Sequence, residues 1–369
     1  MKKAIDISIV IIIALFLFGV GIGIFVLPDK SFSERENRPL ATLPTASIRS
    51  LLDGSFSQKL SDFYSDQLPF RDEFGSLYAI SELALGKNEC NRVLLKDGTL
   101  ITRTESNQEI YEYNLAAINS FLSRQKNALF FCPPTTAEAY ADILEPHQKG
   151  ILDELPPQEN AISAQYLALI RASGAEGYYY RTDHHWTTDG AYEAYKLICQ
   201  ALGESTYGEE HFEKISASES FFGSAYRRSS FPKSLLAADS IILYRYRGDD
   251  EFTLTNRSSN TVQNGFYRTE ELGSSDEYRV FLGGNCAHLS IARSSSAERK
   301  KLLLIKDSFA NSLVPFLALH YDIEMVDPRY ADPSLIQNLL QTEHFDALLI
   351  LCSKSTLLTD SSYGRSLNK

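Results

Sequence analysis

An uncharged apolar run near the N-terminus constrains the fold more than any other feature of this chain. Residues 7–27 are mostly Ile, Leu, Val and Phe. About 20 apolar residues of helix cross a bilayer core. The run continues into Pro28 without a small-residue cleavage site, which distinguishes it from a secretory signal. Since Lys2 and Lys3 precede it, we expect an uncleaved single-pass anchor with a cytoplasmic N-terminus.

This anchor sets the expected domain organisation. Residues 1–6 form a cytoplasmic tail, 7–27 the transmembrane anchor, 28–52 a juxtamembrane linker and 53–369 an extracytoplasmic domain. Within that domain, residues 206–280 form a β-rich antiparallel insertion. Gly19 and Gly23 form a GxxxG motif, which is compatible with packing against a partner helix in the membrane.

Composition excludes several classes of protein. The 369 residues include 36 Lys and Arg against 47 Asp and Glu, a net charge of −11. An acidic chain without a dense basic stripe is not expected to bind nucleic acid. Five cysteines show no CxxC and no zinc spacing, so we predict no metal site and no cofactor. The cysteines in apolar runs are expected to be buried thiols: Cys132, Cys199 and Cys352.

Beyond the linker, short apolar runs alternate with helical periodicity. Residues 127–132 form a buried strand that is followed by a helix over 161–172. After the insertion, strands are predicted at 302–305, 323–326 and 347–351, with helices at 309–320 and 334–341 between them. This alternation predicts an α/β domain with helices covering a sheet.

Two loci carry residues capable of catalysis. The first is a loop from Thr182 to Gly190, which precedes a helix. In it Asp183 stands two residues before His185, close enough in sequence to orient its ring and leave Nε2 as a general base. A solvated loop whose histidines cap neighbouring groups remains the alternative.

The second locus is the strand-turn-helix around Lys306-Asp307-Ser308. Such a turn presents a serine hydroxyl at the carboxyl edge of an α/β sheet. The helix N-terminus would then offer N–H groups to an oxyanion. An ordinary N-capping serine is the alternative. A third feature is Gly283-Gly284-Asn285, where paired glycines allow the backbone to approach a ligand closely and Asn can donate to an oxyanion; a plain turn is the alternative. Arg329 is expected near the same edge as Ser308, with a surface ion pair as its alternative.

Together these residues resemble the DHHW-motif family of Gram-positive membrane-anchored proteins. The matching segments span the exterior chain in the expected order. That family is in turn similar to the SGNH-hydrolase-like proteins that O-acetylate alginate. The segments are Ser33-Glu34-Arg35-Glu36-Asn37-Arg38, Thr182-Asp183-His184-His185-Trp186, Phe222-Gly223-Ser224, Gly283-Gly284-Asn285 and Lys306 to Ser312.

The resemblance implies an SGNH-hydrolase-like sheet sandwiched by helices. It makes Ser308 the nucleophile, His185 the base and Asp183 the residue that orients the base. The oxyanion or substrate is expected to contact one or more of a further set: Gly284, Asn285, Arg329, His184 and Trp186.

Two functions follow as expectations. One is an extracytoplasmic O-acyltransferase or acetylesterase that acts on a cell-surface polysaccharide. Transfer would require a multi-spanning membrane acyltransferase as partner, because acetyl-CoA is absent outside the cell. The other is a non-catalytic glycan-binding or envelope-assembly factor with the same fold.

Overall fold

In a computed structural model the chain is described over residues 2–33, 38–153, 155–156, 160–294 and 298–368. It forms two compact units. The N-terminal unit comprises Met1–Asn91 with Arg227–Pro232, and the main unit comprises Arg92–Tyr226 with Lys233–Lys369. Most of the motif Ser33 to Arg38, at residues 34–37, lies outside the described residues.

The N-terminal unit is mostly helical. Within α1, the stretch Ile7–Val26 is long and apolar enough to cross a membrane or to serve as a signal sequence. A break at residues 67–70, which include Pro69, separates two helices of this unit. The elements are α1 Lys2–Val26, β1 Phe32–Ser33, β2 Arg38–Pro39, α2 Ile48–Leu52, α3 Ser55–Asp66, α4 Arg71–Ala84 and β3 Glu89–Cys90.

A buried carboxylate ties the segment after α1 to α3. The guanidinium of Arg38 donates two hydrogen bonds to Asp66, at 2.9 and 2.5 Å, and the Ala41 N–H donates a third at 2.8 Å. Burial acts against the charge of Asp66, but the Arg38 and Ala41 contacts hold its pKa below the usual value. The linker expected over residues 28–52 is therefore fixed at this point.

The main unit contains the α/β domain predicted from the sequence. The chain leaves the main unit after Tyr226 and re-enters it at Lys233. Its elements are β4 Val93–Lys96, β5 Thr99–Thr102, α5 Gln108–Arg124, β6 Ala128–Phe131, α6 Thr136–Ala139, α7 Gly150–Asp153, α8 Ala161–Ser173, α9 Thr188–Leu202, β7 Phe212–Phe221, α10 Ser224–Ser229, β8 Asp239–Tyr246, β9 Phe252–Asn256, β10 Thr261–Asn264, β11 His288–Arg293, β12 Lys300–Lys306, α11 Val314–Leu317, β13 Tyr321–Val326, α12 Leu335–Thr342, β14 Ala347–Leu351, α13 Lys354–Thr359 and α14 Ser362–Leu367.

Seven strands form one mixed sheet in the order β10-β9-β11-β13-β12-β14-β6. The pairs from β13 through β12 and β14 to β6 are parallel, whereas those from β13 through β11 and β9 to β10 are antiparallel. From β12 the chain moves to its neighbour β13 on one side and then returns to β14 on the other. The carboxyl end of β12 is therefore a topological switch point, where open α/β sheets bind ligands.

Alternating residues of β12 build two hydrophobic cores, one on each face of the sheet. Leu302 and Leu304 belong to the core that includes residues of α8, α9 and α11. Leu303 and Ile305 belong to the core that includes residues of α5, α12 and α14. Helices therefore cover both faces, and the predicted fold class is confirmed.

One prediction about the β-rich region needs correction. The sequence predicts that residues 206–280 form a single antiparallel insertion. Instead β8 pairs with β7 in a separate two-stranded sheet, and β9 joins the main sheet between β10 and β11. Alternation predicts strands but does not determine their partners, because β-pairing depends on distant residues.

The expected helix after Ser308 also differs. Ser308–Ser312 is a 3-10 helix, and the following α-helix is limited to Val314–Leu317. The capping residue is Asp307 rather than Ser308, since its side chain accepts from the Phe309 N–H at 3.1 Å. The predicted buried thiols are confirmed, because Cys132, Cys199 and Cys352 are free and buried.

A buried ion pair supplies a test of how the main unit is stabilised. Lys354 Nζ lies 2.6 Å from Glu138 Oε1, and both side chains are almost fully buried. We expect Lys354→Met to lower the free energy of unfolding by about 3–5 kcal/mol, because it removes the ammonium that compensates the buried Glu138 charge. The single Trp, Trp186, lies in this unit, so its fluorescence during denaturation reports the change.

Lys301→Met is the matched control. Its 3.0 Å pair with Glu343 has side chains 48% and 29% exposed, and its loss is expected to cost less than about 1 kcal/mol. Equal costs for the two variants would contradict a stabilising role for the buried pair.

Candidate active site

The two catalytic loci of the sequence meet at the carboxyl end of β12. Ser308 Oγ lies 2.7 Å from His185 Nε2, and His185 Nδ1 lies 2.5 Å from Asp183 Oδ1. The backbone N–H of His185 also donates to Asp183 Oδ1, at 2.9 Å. Asp183 and His185 are buried, with 1% and 5% of their surface exposed. The arrangement is that of a Ser-His-Asp triad.

Asp183 is held in its ionised form. Burial acts to raise its pKa, but the adjacent charges of His185 and His184, with hydrogen bonds from His185 and the Ser224 N–H, bring the pKa well below the usual value. With Nδ1–H donated to this carboxylate, Nε2 is left to accept the Ser308 proton.

The Asp183 carboxylate also fixes the Phe222-Gly223-Ser224 segment. The Ser224 N–H donates to Asp183 Oδ2 at 2.6 Å. A Cβ on Gly223 would stand 2.2 Å from that same oxygen, so only glycine fits there. The side chain of Ser224 hydrogen-bonds His184 Nδ1. His184 is therefore beside the triad, and its side chain is 37% exposed.

Tyr278 is part of the site although no sequence pattern pointed to it. Its ring stacks on His185 with centroids 3.9 Å apart and planes 6° apart. Its hydroxyl lies 3.2 Å from Ser312 Oγ and donates to the Ser308 carbonyl at 3.4 Å. Burial raises the pKa of Tyr278, so the phenol stays protonated. Together the stack and the Asp183 bond fix the imidazole plane.

Trp186 requires a correction. It was predicted as an oxyanion or substrate residue, but its side chain is fully buried. The indole Nε1 donates to the Phe309 carbonyl at 3.0 Å and to Ser312 Oγ at 2.9 Å. It therefore positions the turn that carries Ser308, because a buried indole needs a partner for its N–H and finds it there.

The Ser308 turn is fixed from its other side by Asp307. Its Oδ2 accepts from the Ser353 N–H at 2.8 Å and from Thr356 Oγ1 at 2.9 Å, after β14. Burial opposes the charge of Asp307, but Arg329 and these donors lower its pKa. The Phe309 N–H already donates to Asp307, so fewer helix N–H groups than predicted are available to an oxyanion.

Asn285 follows Gly283 and Gly284, whose φ angles of 79° and 93° favour glycine. The Asn285 Oδ1 atom accepts from Lys306 Nζ at 2.8 Å and from Asn311 Nδ2 at 3.2 Å. With its oxygen engaged by two donors, the amide can present its Nδ2 donors to another group.

Arg329 lies close to the site but is paired with Asp327. Its Nε and Nη2 donate to the two carboxylate oxygens at 2.9 and 2.7 Å. Lys306 Nζ lies 3.6 Å from the same carboxylate. Arg329 is therefore one member of a charge network with Asp327 and Lys306. The alternative of a surface ion pair is wrong, because Asp327 is fully buried.

In the described part of the chain, Asp183, His184 and His185 also form a group that could hold a metal ion. The His185 Nε2 and Asp183 Oδ1 atoms such a site would use are already occupied by Ser308 and by His185 Nδ1. The donor set therefore fits a proton-transfer site better than a metal centre.

Comparison with known proteins shows which family the chain resembles. A family model described as DHHW protein matches residues 148–326. A DHHW family protein from Eubacterium siraeum aligns at 22% identity and a TM-score of 0.58, covering 75% of this chain and 95% of that one. None of the curated proteins compared with the chain matches it.

Two further solved structures resemble this chain. PatB1 from Bacillus cereus, solved with a sulfonyl adduct, aligns at 19% identity and a TM-score of 0.57, covering 73% of this chain and 98% of that one. The O-acetyltransferase domain of Pseudomonas putida AlgJ covers 75% and 98% at 14% identity, but its TM-score of 0.42 is too low to support a conclusion. The resemblance predicted from the sequence is confirmed, and the fold is SGNH-hydrolase-like.

Gly223 offers a test of the site geometry. We expect Gly223→Ala to lower the free energy of unfolding by about 1–3 kcal/mol, because the new methyl overlaps the buried Asp183 carboxylate. The fluorescence of Trp186, in the loop that carries Asp183, should follow the unfolding.

Gly150→Ala is the control, since a Cβ at Gly150 meets no atom within 4 Å. Its free energy of unfolding should stay within about 0.5 kcal/mol of the wild type. If Gly223→Ala were equally neutral, the close approach would not constrain the loop.

Proposed function

Because residues 148–326 match the DHHW family and Ser308 lies 2.7 Å from His185 Nε2, we propose that this protein is a serine O-acyltransferase or acetylesterase. Its substrate would be a cell-surface polysaccharide, and the catalytic unit would lie outside the cell behind an N-terminal anchor. The Ser308–His185 contact is the observation that carries the proposal, since an ordinary surface serine needs no buried imidazole at this distance.

The first half of the reaction acylates Ser308. His185 Nε2 takes the Ser308 proton as Oγ attacks the carbonyl carbon of an acyl donor. The resulting imidazolium is stabilised by the ionised Asp183 carboxylate. When the tetrahedral intermediate collapses, the C–O bond to the leaving group breaks, and His185 donates its proton to the departing alkoxide. The product is an acyl-serine ester.

The second half releases the acyl group. A sugar hydroxyl or a water molecule attacks the ester, and His185 removes its proton. Collapse of the second intermediate breaks the bond to Ser308 Oγ, which recovers its proton from His185. A sugar acceptor gives transfer and water gives hydrolysis, so both activities use the same residues.

The Asn285 amide supports stabilisation of the oxyanion. Its Oδ1 is engaged by Lys306 and Asn311, which orients the remaining N–H donors away from these groups. The Gly284 backbone is the second candidate donor. His184, beside the triad and partly exposed, is the candidate contact for the acceptor sugar. A multi-spanning membrane acyltransferase would supply the acyl group in a transfer reaction.

We expect the purified full chain in detergent to hydrolyse p-nitrophenyl acetate. Ser308→Ala should lower kcat/KM by at least about 10³-fold, because loss of a triad nucleophile removes covalent catalysis. A sulfonyl fluoride should label Ser308 in the wild type, as detected by mass spectrometry. Release of p-nitrophenol measures turnover.

The control is Ser47→Ala, which removes a true helix cap at α2. It should cost about 1 kcal/mol of stability and leave turnover unchanged. A wild-type protein that neither hydrolyses the ester nor labels at Ser308 would favour the non-catalytic glycan-binding function instead.

Topology is a separate prediction. If residues 7–27 remain as an anchor with the N-terminus inside, protease added to intact protoplasts should digest the main unit. An epitope tag at the N-terminus should stay protected until the membrane is permeabilised. Recovery of a mature chain that lacks residues 1–27 would identify a signal sequence in place of the anchor.

A further inference from the structure

A cavity of about 320 Å³ lies in the main unit, and none of the triad residues lines it. It is formed by β7, β8, β10 and the segment from Gly265 to Leu272. Much of its wall is apolar, and Phe266 and Tyr267 contribute aromatic rings. Its size is at the lower end of the range for small-molecule sites in proteins. The apolar wall includes Ile215, Ala217, Leu243, Phe266 and Leu272.

One buried carboxylate in this cavity has no side-chain partner within hydrogen-bonding distance among the residues that the structure describes. Asp249 lines the cavity and is only 4% exposed. Within the described part of the chain, neither of its carboxylate oxygens has a hydrogen-bond partner. An unpaired buried carboxylate is costly, and the great majority of buried polar side chains are hydrogen-bonded. Asp249 therefore points to a ligand rather than to a structural role.

The charges that face Asp249 leave the site negative. Arg245 and Asp250 also line the cavity, and Arg245 Nη2 lies 3.9 Å from Asp250 Oδ2. These two charges offset each other and are mostly exposed to solvent, with side chains 52% and 88% exposed. The Tyr267 hydroxyl is directed away, since it donates to the Tyr244 carbonyl at 2.6 Å. Arg245 and the Tyr246 backbone therefore compensate the Asp249 charge only in part.

We propose that this cavity binds a small ligand with an apolar body and a protonated amine. The ammonium group would donate hydrogen bonds to Asp249, and the body would pack against Leu243 and Phe266. Aromatic rings beside a carboxylate favour a cation, because the ring face is negative. A charge-assisted contact of this kind is stronger than one made by a neutral hydroxyl.

The affinity of such a ligand should depend on pH. Burial raises the pKa of Asp249 to about 7. The Tyr246 backbone and Arg245 act to lower this pKa, and Asp250 acts to raise it. The ionised form that an ammonium requires is therefore mostly present at pH 8 and mostly lost at pH 5.5. An aliphatic amine remains protonated across this range, so its affinity should fall as the pH is lowered.

The test uses the full chain in detergent and isothermal titration calorimetry with benzylamine and benzyl alcohol. At pH 8 we expect benzylamine to bind at least about tenfold more tightly than the alcohol, since only the amine pairs with a charge. Asp249→Asn should abolish this preference. Asp250→Asn, the matched control at an exposed carboxylate, should retain it.

Two further measurements separate binding from folding. A raised pKa means that ionised Asp249 destabilises the fold above about pH 7 and has no such effect below 3.8, the usual value. Asp249→Asn should therefore have a higher Tm than the wild type at pH 8, and the gap should narrow at pH 5. Ala217→Phe should fill the cavity and prevent amine binding while Asp249 remains.

Equal binding of the amine and the alcohol would overturn the proposal, because the Asp249 charge would then contribute nothing to binding. Binding of neither probe would also overturn it. Unchanged amine binding in Asp249→Asn or in Ala217→Phe would overturn it as well. Ester hydrolysis at Ser308 is measured separately, so failure here leaves the proposed reaction unaffected.

Discussion

The buried Asp183 carboxylate is the group on which the geometry of the candidate active site depends. One oxygen accepts from the backbone and the ring of His185, and the other accepts from the Ser224 N–H. These bonds join the loop before α9 to the start of α10. Taking a carboxylate out of water is costly unless such donors surround it. The donors of these loops therefore stabilise the buried Asp183 charge, and their hydrogen bonds to the carboxylate hold the loops in position.

The serine side of the site is fixed by the sheet. Ser308 follows β12, whose neighbours β13 and β14 are both parallel to it, so three strand ends meet at one edge. Asp307 is hydrogen-bonded to residues after β14, and Trp186 is hydrogen-bonded to the Ser308 turn from the histidine loop. The serine and histidine are therefore positioned by separate elements connected through buried hydrogen bonds.

The sequence predicted those parts of the fold that depend on local pattern. The helix predicted over 161–172 is observed as α8, and it begins at a cap. The Asn160 side chain accepts from the Ser163 N–H, which is why asparagine favours that position. The buried strands at the carboxyl end of the chain were recognisable from their continuous apolar residues.

Features that depend on distant residues could not be read in this way. The stacking of Tyr278 on His185 joins positions far apart in the sequence, and no spacing rule connects them. The burial of Trp186 likewise follows from packing against Phe131 and Tyr166 of other elements. The pairing of β8 with β7 was missed because strand pattern does not specify a partner.

The 3-10 helix after Ser308 offers fewer free N–H groups for a negative charge than a long α-helix would. A long α-helix would direct several N–H groups at the oxyanion, but the Phe309 N–H is bound by Asp307. A cationic contribution is available instead from Lys306, which is fully buried and donates to Asn285 Oδ1. Burial lowers the pKa of Lys306, while Asp327 opposes this effect and Arg329 adds to it. An ammonium that donates to the amide oxygen polarises the Asn285 N–H bonds, which strengthens them as donors to developing negative charge.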